Sequence, residues 1–212
     1  MRRLLPLLFF LLLPLLSCGE PDRPTISLYL AVQRGDLDQI ERHIHWGADI
    51  NRPDVDGRMP LHVAAEKGRV VVVKLLLKKG ADIDARDRDG HSPLYAAVMA
   101  GRTQVAQYLI KLNAPFDADY LLSEAVRNQV QDRDVIDLLL DRGANINHFS
   151  QDGDTPLILA IREQNRILTK LLVSRGADVN LAGKSGEMPL AVARQTGNPE
   201  IIRLLERNGA QP

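Results

Sequence analysis

Glycine recurs at positions 47, 80, 143, 176 and 209, with Asn113 filling the one gap, and marks a beat of 33 residues through almost the whole chain. Self-similarity at a fixed period of about 20–50 residues is the signature of stacked copies of one small unit, so this beat constrains the fold more than any other feature. Each marker closes the same phrase, as in Gly47-Ala48-Asp49-Ile50-Asn51, Gly80-Ala81-Asp82-Ile83-Asp84 and Gly176-Ala177-Asp178-Val179-Asn180. Glycine in that place reads as the end of a helix, where a left-handed residue is needed. Nineteen residues before a marker stands a leucine preceded by proline: Pro60-Leu61, Pro93-Leu94, Pro156-Leu157 and Pro189-Leu190. Proline suits a first helical turn, whose N–H groups lack partners anyway. Ser92 and Thr155 supply N-cap hydroxyls just before it, whereas Met59 and Met188 cannot.

Between start and stop there is room for two short helices. Leu61, Ala64 and Ala65 fall on one face of the first, and Val72, Val73, Leu76 and Leu77 on one face of the second. Such a pair is too small to bury its own apolar stripe, so neighbours must stack into one continuous core. The phrase Gly57-Arg58-Met59-Pro60-Leu61-His62-Val63-Ala64-Ala65, followed by Val72-Val73-Lys74-Leu75-Leu76-Leu77-Lys78-Lys79-Gly80-Ala81-Asp82, resembles the ankyrin repeat, a turn plus two antiparallel helices. The resemblance runs from residue 25 to residue 210 in six copies. It implies an all-α ankyrin-repeat solenoid with β-hairpin-like fingers, occupying residues 25–212.

Departures from the pattern locate special places. From Asn113 to Leu122 is nine residues, where the other joints take fourteen, so the finger between copies three and four is truncated and leaves a notch around Asp117 to Tyr120. From Leu122 to Gly143 is twenty-one residues, which predicts an enlarged turn over Asn128 to Asp132, a bulge beside that notch. In the first copy Gln39 and His43 stand where later copies are apolar, as expected of a terminal copy whose outer flank faces water. The sixth copy keeps Ile201, Ile202, Leu204 and Leu205, so its open end is less well capped or is contacted.

The chain begins Met1-Arg2-Arg3, followed by the apolar run Leu4 to Leu16 and then Ser17-Cys18-Gly19, which reads as an export signal. That run contains Pro6 and Pro14 and is shorter than the roughly 20 residues a spanning helix needs. Its single cysteine falls where the apolar run stops, and Leu15-Leu16-Ser17-Cys18 resembles the lipobox of bacterial lipoproteins. The resemblance implies removal of residues 1–17, acyl chains on Cys18, and Gly19-Glu20-Pro21-Asp22-Arg23-Pro24 as a short linker from the membrane. Several acyl chains hold a protein stably where one would be marginal. With Gly19 rather than aspartate after the cysteine, the family pattern implies the periplasmic face of the outer membrane. Ordinary secretion with cleavage elsewhere is the alternative. Lacking a second cysteine, the copies hold by packing alone.

The leader carries two of the 27 basic residues, leaving 25 against 27 acidic ones, a balance that argues against nucleic acid as a partner. Catalytic chemistry is equally poorly represented. Asp49, Asp82 and Asp178 share one turn slot, where a short polar side chain bonds local backbone. His43 and His45 are two apart and point to different helix faces, which does not suit a metal. His62 lies where ankyrin repeats use histidine to bond between copies, and no phosphate loop, zinc-type cluster or nucleophile elbow accompanies it. The expectation is a non-enzyme with no cofactor and no metal.

What remains is surface. In ankyrin domains partners dock on the concave face built by finger tips and inner-helix ends. Carried over copy by copy, those positions are Arg58, Glu66 and Lys67; Arg88, Asp89, His91 and Met99; Arg127 and Asn128; Asp154, Arg162 and Glu163; and Lys184, Glu187 and Gln195. Met99 beside His91 and Arg88 reads as an apolar anchor in a polar rim, the arrangement by which interfaces gain affinity. Trp46 and Phe149 are further anchors, with Trp46 either touching lipid headgroups or packing on Tyr29. Two readings follow. One is a lipid-anchored adaptor, its repeat domain monomeric, that binds, inhibits or protects another periplasmic or envelope protein. The other is a structural tether with no groove ligand.

Overall fold

The computed structural model describes residues 20–211, and the leader with Cys18 lies outside them. Twelve helices follow one another there: α1 (Leu28–Arg34), α2 (Leu37–His45), α3 (Pro60–Glu66), α4 (Val70–Lys78), α5 (Pro93–Met99), α6 (Thr103–Lys111), α7 (Ala118–Arg127), α8 (Arg133–Asp141), α9 (Pro156–Arg162), α10 (Arg166–Ser174), α11 (Pro189–Thr196) and α12 (Pro199–Arg207). They form six pairs, one per copy, and the odd-numbered inner helices touch in unbroken sequence from α1 to α11. Among the described residues no helix is long and apolar enough to cross a membrane.

Local chemistry explains the helix ends. Ser92 and Thr155 accept the N–H groups of Tyr95 and Ile158 at 3.2 and 3.3 Å, as capping hydroxyls should. Met59 has no such side chain, and His62 completes that start instead by accepting the Met59 N–H on Nδ1 at 3.2 Å. The markers are left-handed C-caps, with Gly80 at φ +93° and Asn113 at +59°. The repeated leucines of the inner helices, Leu61, Leu94, Leu122, Leu157 and Leu190, are each at most 1 % exposed. Full burial of one such side chain is worth about 1.5–3 kcal/mol.

The fingers contain no strand among the described residues. Each is an isolated turn, and the hairpin-like shape expected of them reduces to single bonds such as Asp54 N–H to Arg58 O at 2.9 Å. Carboxylates hold the turns: Asp54 Oδ1 accepts from the N–H groups of Asp56 and Arg58, and Asp87 Oδ1 from those of Asp89 and His91. Between copies runs a ladder of asparagines. Asn51, Asn147 and Asn180 accept the backbone N–H of Asp82, Asp178 and Gln211 at 3.0, 2.9 and 2.8 Å.

At the N-terminal flank, Gln39 and His43 do not face water as expected. The segment before α1 lies over them: Thr25 N–H donates to Gln39 Oε1 at 2.8 Å, and His43 Nε2 is 2.6 Å from Ile26 O. Trp46 also meets this segment rather than Tyr29. Its indole N–H donates to Pro21 O at 3.1 Å, and the Arg23 guanidinium lies 5.0 Å from its ring centroid.

Copy four departs as its spacing predicts, with one correction. Its inner helix α7 has ten residues where α5 and α9 have seven, and the three extra residues, Ala118, Asp119 and Tyr120, rise into space that a finger would fill. Residues 128–132 form the enlarged turn, with Gln129 at φ +54° and Val130 buried. The notch and the bulge therefore lie at opposite ends of α7 rather than side by side.

Candidate concave-face groove

The extended first turn of α7 and the finger of copy five enclose a groove of about 820 Å³ where copy four lacks its own finger. Asp117 caps α7, accepting the Tyr120 N–H at 3.1 Å. From there Tyr120, Ser123, Glu124 and Arg127 line one wall, because residues three and four apart share a helix face. Phe149, Ser150 and Asp152 line the other. Tyr120 and Phe149 are 38 % and 40 % exposed, which leaves apolar rings at the rim of a polar trough. A second hollow, of about 460 Å³, opens on the far side of Tyr120 toward His91, Tyr95 and Phe116.

The groove is acidic. Asp117, Asp119, Glu124 and Asp152 line it against one guanidinium, that of Arg127. Arg127 pairs with Asp152 at 2.6 Å and Glu124 at 3.4 Å, and the Asp152 bond above all holds it charged. Burial, then the Glu124 charge, pushes the Tyr95 hydroxyl up to about 12, and the same two causes raise that of Tyr120.

The joint to copy five is closed by bonds that replace the missing finger. Asp119 Oδ1 accepts the Asn145 N–H at 2.6 Å, doing what asparagine does elsewhere in the ladder. His148 Nδ1 is 2.7 Å from Asn145 O, and because a carbonyl only accepts, this nitrogen carries the proton. Nε2 then accepts from the Ser123 hydroxyl, 2.5 Å away. Ser123 occupies the slot of His62, which bridges to His91 O of the next copy at 2.9 Å. In both joints the side chain in this slot donates to the next copy, His62 to a backbone carbonyl and Ser123 to the His148 ring. Asp119, 4.0 Å from His148 Nδ1, completes the order of a hydrolytic triad. However, Ser123 is 4 % exposed and the histidine proton goes to a backbone carbonyl, so the arrangement works as a strut.

The positions expected to meet a partner are distributed unevenly. Arg58 is tied to Asp54, Asp56 and Glu66 within 3.4 Å, and Glu66 also holds Lys67 at 2.6 Å. Arg162 bridges Asp154 and Glu187 at 2.7 and 2.6 Å, and Gln195 donates to Glu187 at 3.3 Å. The Arg162 bond holds the Glu187 carboxyl below its ordinary range. Asp154 is only 9 % exposed. Asn128 caps α7 through Glu124 O, and Glu163 accepts from Gln129. These side chains largely satisfy one another.

The third-copy patch does not assemble as expected. Met99 is half-buried against the core, Arg88 donates to Val55 O at 2.6 Å, and His91 stacks on Tyr95 with ring centroids 3.8 Å apart. Packed against the core in this way, Met99 supplies no exposed anchor. Asp87, Asp89 and His91 bring their ligand-type atoms within 4.8 Å of one another, but Asp87 already serves the finger turn as Asp54 does. Lys184 lies over Phe149, its Nζ 5.7 Å from the ring centroid.

Six stacked helix pairs, left-handed glycine caps and cross-copy ladders define a repeat solenoid whose exposed chemistry gathers on its finger side. The chain belongs to the ankyrin repeat family, whose three-copy model matches residues 28–120 and again 122–212, and ankyrin repeats are protein-interaction modules. No curated protein sequence matches it. Among solved structures it is similar to the human ASB11 ankyrin repeat domain, at 29 % identity and TM-score 0.73 over 88 % of this chain and 85 % of that one. It is also similar to an ankyrin repeat domain from Acinetobacter baumannii, at 28 % identity and TM-score 0.64 over 87 % and 98 %. A third similarity is to a chain from the complex of the predatory endopeptidase Bd0816 of Bdellovibrio bacteriovorus with the immunity protein Bd3460, at 26 % identity and TM-score 0.68 over 87 % and 99 %.

Proposed function

We propose that this protein is a lipid-anchored ankyrin adaptor of the bacterial envelope, which binds another envelope or periplasmic protein through its concave face and thereby inhibits, protects or retains it. The observation that carries the binding site is the notch: a preformed acidic groove with Tyr120 and Phe149 both exposed at its rim. Exposed aromatic rings framed by polar groups are how interfaces gain affinity. Similarity to a chain from a complex of an endopeptidase with an immunity protein supports a protein as the partner, since either chain of that complex has a protein bound to it. Cys18 and the apolar run before it support the anchor, and Gly19 after the cysteine supports the periplasmic face of the outer membrane. No cofactor enters this function.

Crosslinking in intact cells tests it, comparing the native chain with Tyr120→Ala/Phe149→Ala, with the outer-helix control Val71→Ala/Ile167→Ala, and with Cys18→Ala. The expected result is one partner captured by the native chain and by the control, lost with the aromatic pair, and a chain released from the membrane fraction by Cys18→Ala. Capture that depends on Cys18 alone would make the protein a tether with no groove ligand.

A further inference from the structure

We infer that the notch groove receives an arginine side chain from an exposed segment of the protein partner, its guanidinium held over the rings of Tyr120 and Phe149 and neutralised by Asp117 and Asp119. The inference rests on the protein-binding reading above and states what the partner must present there. Four carboxylates and one guanidinium line the groove, and that guanidinium is engaged by Asp152 and Glu124. Asp117 and Asp119 have each committed an oxygen to a backbone N–H, and neither pairs with a lysine or arginine among the described residues. A cation is what this trough lacks.

Two further observations point to the same ligand. Phe149 already takes Lys184 over its ring at 5.7 Å, so its face accepts a cation in this fold. Ser150 lines the groove, is 7 % exposed, and its hydroxyl has no hydrogen-bond partner. In the fingers of copies two and three the corresponding residues are Asp54 and Asp87, whose carboxylates bond their own turns. Serine at this place leaves an acceptor unused. A guanidinium carries five donors in one plane and stacks on aromatic faces, so it matches rings, carboxylates and a hydroxyl together, which an ammonium does not.

Titrating the full chain with N-acetyl-arginine amide, followed by amide NMR shifts, tests this without knowledge of the partner. Saturable shifts are expected at Tyr120, Phe149 and Ser150. They should weaken about two- to fivefold with N-acetyl-glutamine amide, and by a similar factor in Asp117→Asn/Asp119→Asn, since a charge pair at a half-exposed site is worth a factor of this order. That variant keeps both backbone-capping oxygens. Equal shifts from the arginine and glutamine compounds, shifts untouched by the variant, or stronger shifts from N-acetylglucosamine would each overturn the inference. A partner captured in cells by the native chain, lost with Tyr120→Ala/Phe149→Ala and retained by Asp117→Asn/Asp119→Asn would overturn it while leaving the adaptor function standing.

Discussion

The Asp119 carboxylate accepts the backbone N–H of Asn145 at 2.6 Å, across the one joint where the finger is missing. At three other joints an asparagine in the loop after the marker makes that bond, as Asn51 does to Asp82. Copy four has lost the loop and recovers the bond from a helix, because α7 starts three residues early and lifts Asp119 to the right height.

This exchange predicts a graded stability series. Asp119→Ala should destabilise the fold by about 1–2 kcal/mol, the worth of a bond to a charged group at a partly exposed site. For a chain of this size that is a drop in Tm of roughly 2–8 °C. Asp119→Asn retains an acceptor and should lose less than half as much. Thermal unfolding of the three proteins decides it, and equal losses for alanine and asparagine would mean the contact is not made.

His62 carries the pH dependence. Its ring is 2 % exposed, Nδ1 accepts the Met59 N–H, and Nε2 donates to His91 O. Burial lowers its pKa below the ordinary value of 6.5. In acid the unfolded chain therefore binds a proton that the folded chain refuses, so stability falls as pH drops through about 6.5 and levels off below the folded value. Denaturant unfolding between pH 7.5 and 5 should show this decline, and His62→Gln should flatten the histidine part of it at the cost of lower stability throughout. An unchanged slope in the variant would assign the dependence to other groups.

How much could be read from the residues follows from the range of each interaction. Gly80, Pro93 and Ser92 act on backbone within four residues of themselves, so their roles were visible in the spacing alone. The notch was visible too, since it is a deficit in residue count between Asn113 and Leu122. The direction in which Met99 points was not, because it depends on how α5 packs against its neighbours. Nor were the pairs Arg127–Asp152 and Arg162–Glu187, which join residues 25 apart and depend on how consecutive copies are offset. Asp119, Tyr120 and Ser123 had a signal that counting from Leu122 misses: Asp117 is an N-cap residue, and a helix begun there puts Tyr120, Ser123, Glu124 and Arg127 on one face.

Asn113 stands where the five other copies have glycine and adopts φ +59°, a conformation that strains a side chain bearing a Cβ. It is exposed. Asn113→Gly should therefore raise stability by about 0.5–1 kcal/mol, less the extra entropy of the unfolded glycine. The reverse change, Gly80→Asn, should lower it. Calorimetry of both checks the pair, and a destabilised Asn113→Gly would show that its side chain makes a contact worth more than the strain.

The N-terminal segment gives the last prediction. Residues 21–26 supply partners to three side chains of α2 and its cap: Pro21 O to Trp46, Thr25 N–H to Gln39, and Ile26 O to His43. A chain trimmed to begin at Ser27 keeps the α1 cap but leaves Gln39 and His43 without these bonds. Each buried polar group that loses its partner costs about 1–3 kcal/mol, so the trimmed protein should be clearly less stable. The two changes should also be coupled: Gln39→Ala destabilises the full chain but does little once Thr25 is gone, because contacting groups are not additive. Trp46 is the only tryptophan, so its emission reports the same event, shifting to the red and becoming more open to acrylamide on trimming. Additive losses and an unmoved emission would mean that the segment merely lies against copy one. Coupled losses would make it part of the fold, leaving only residues 19 and 20 as slack between Cys18 and the solenoid, so that an acylated Cys18 would hold copy one within about 10 Å of the membrane surface, given at most about 3.6 Å per extended residue.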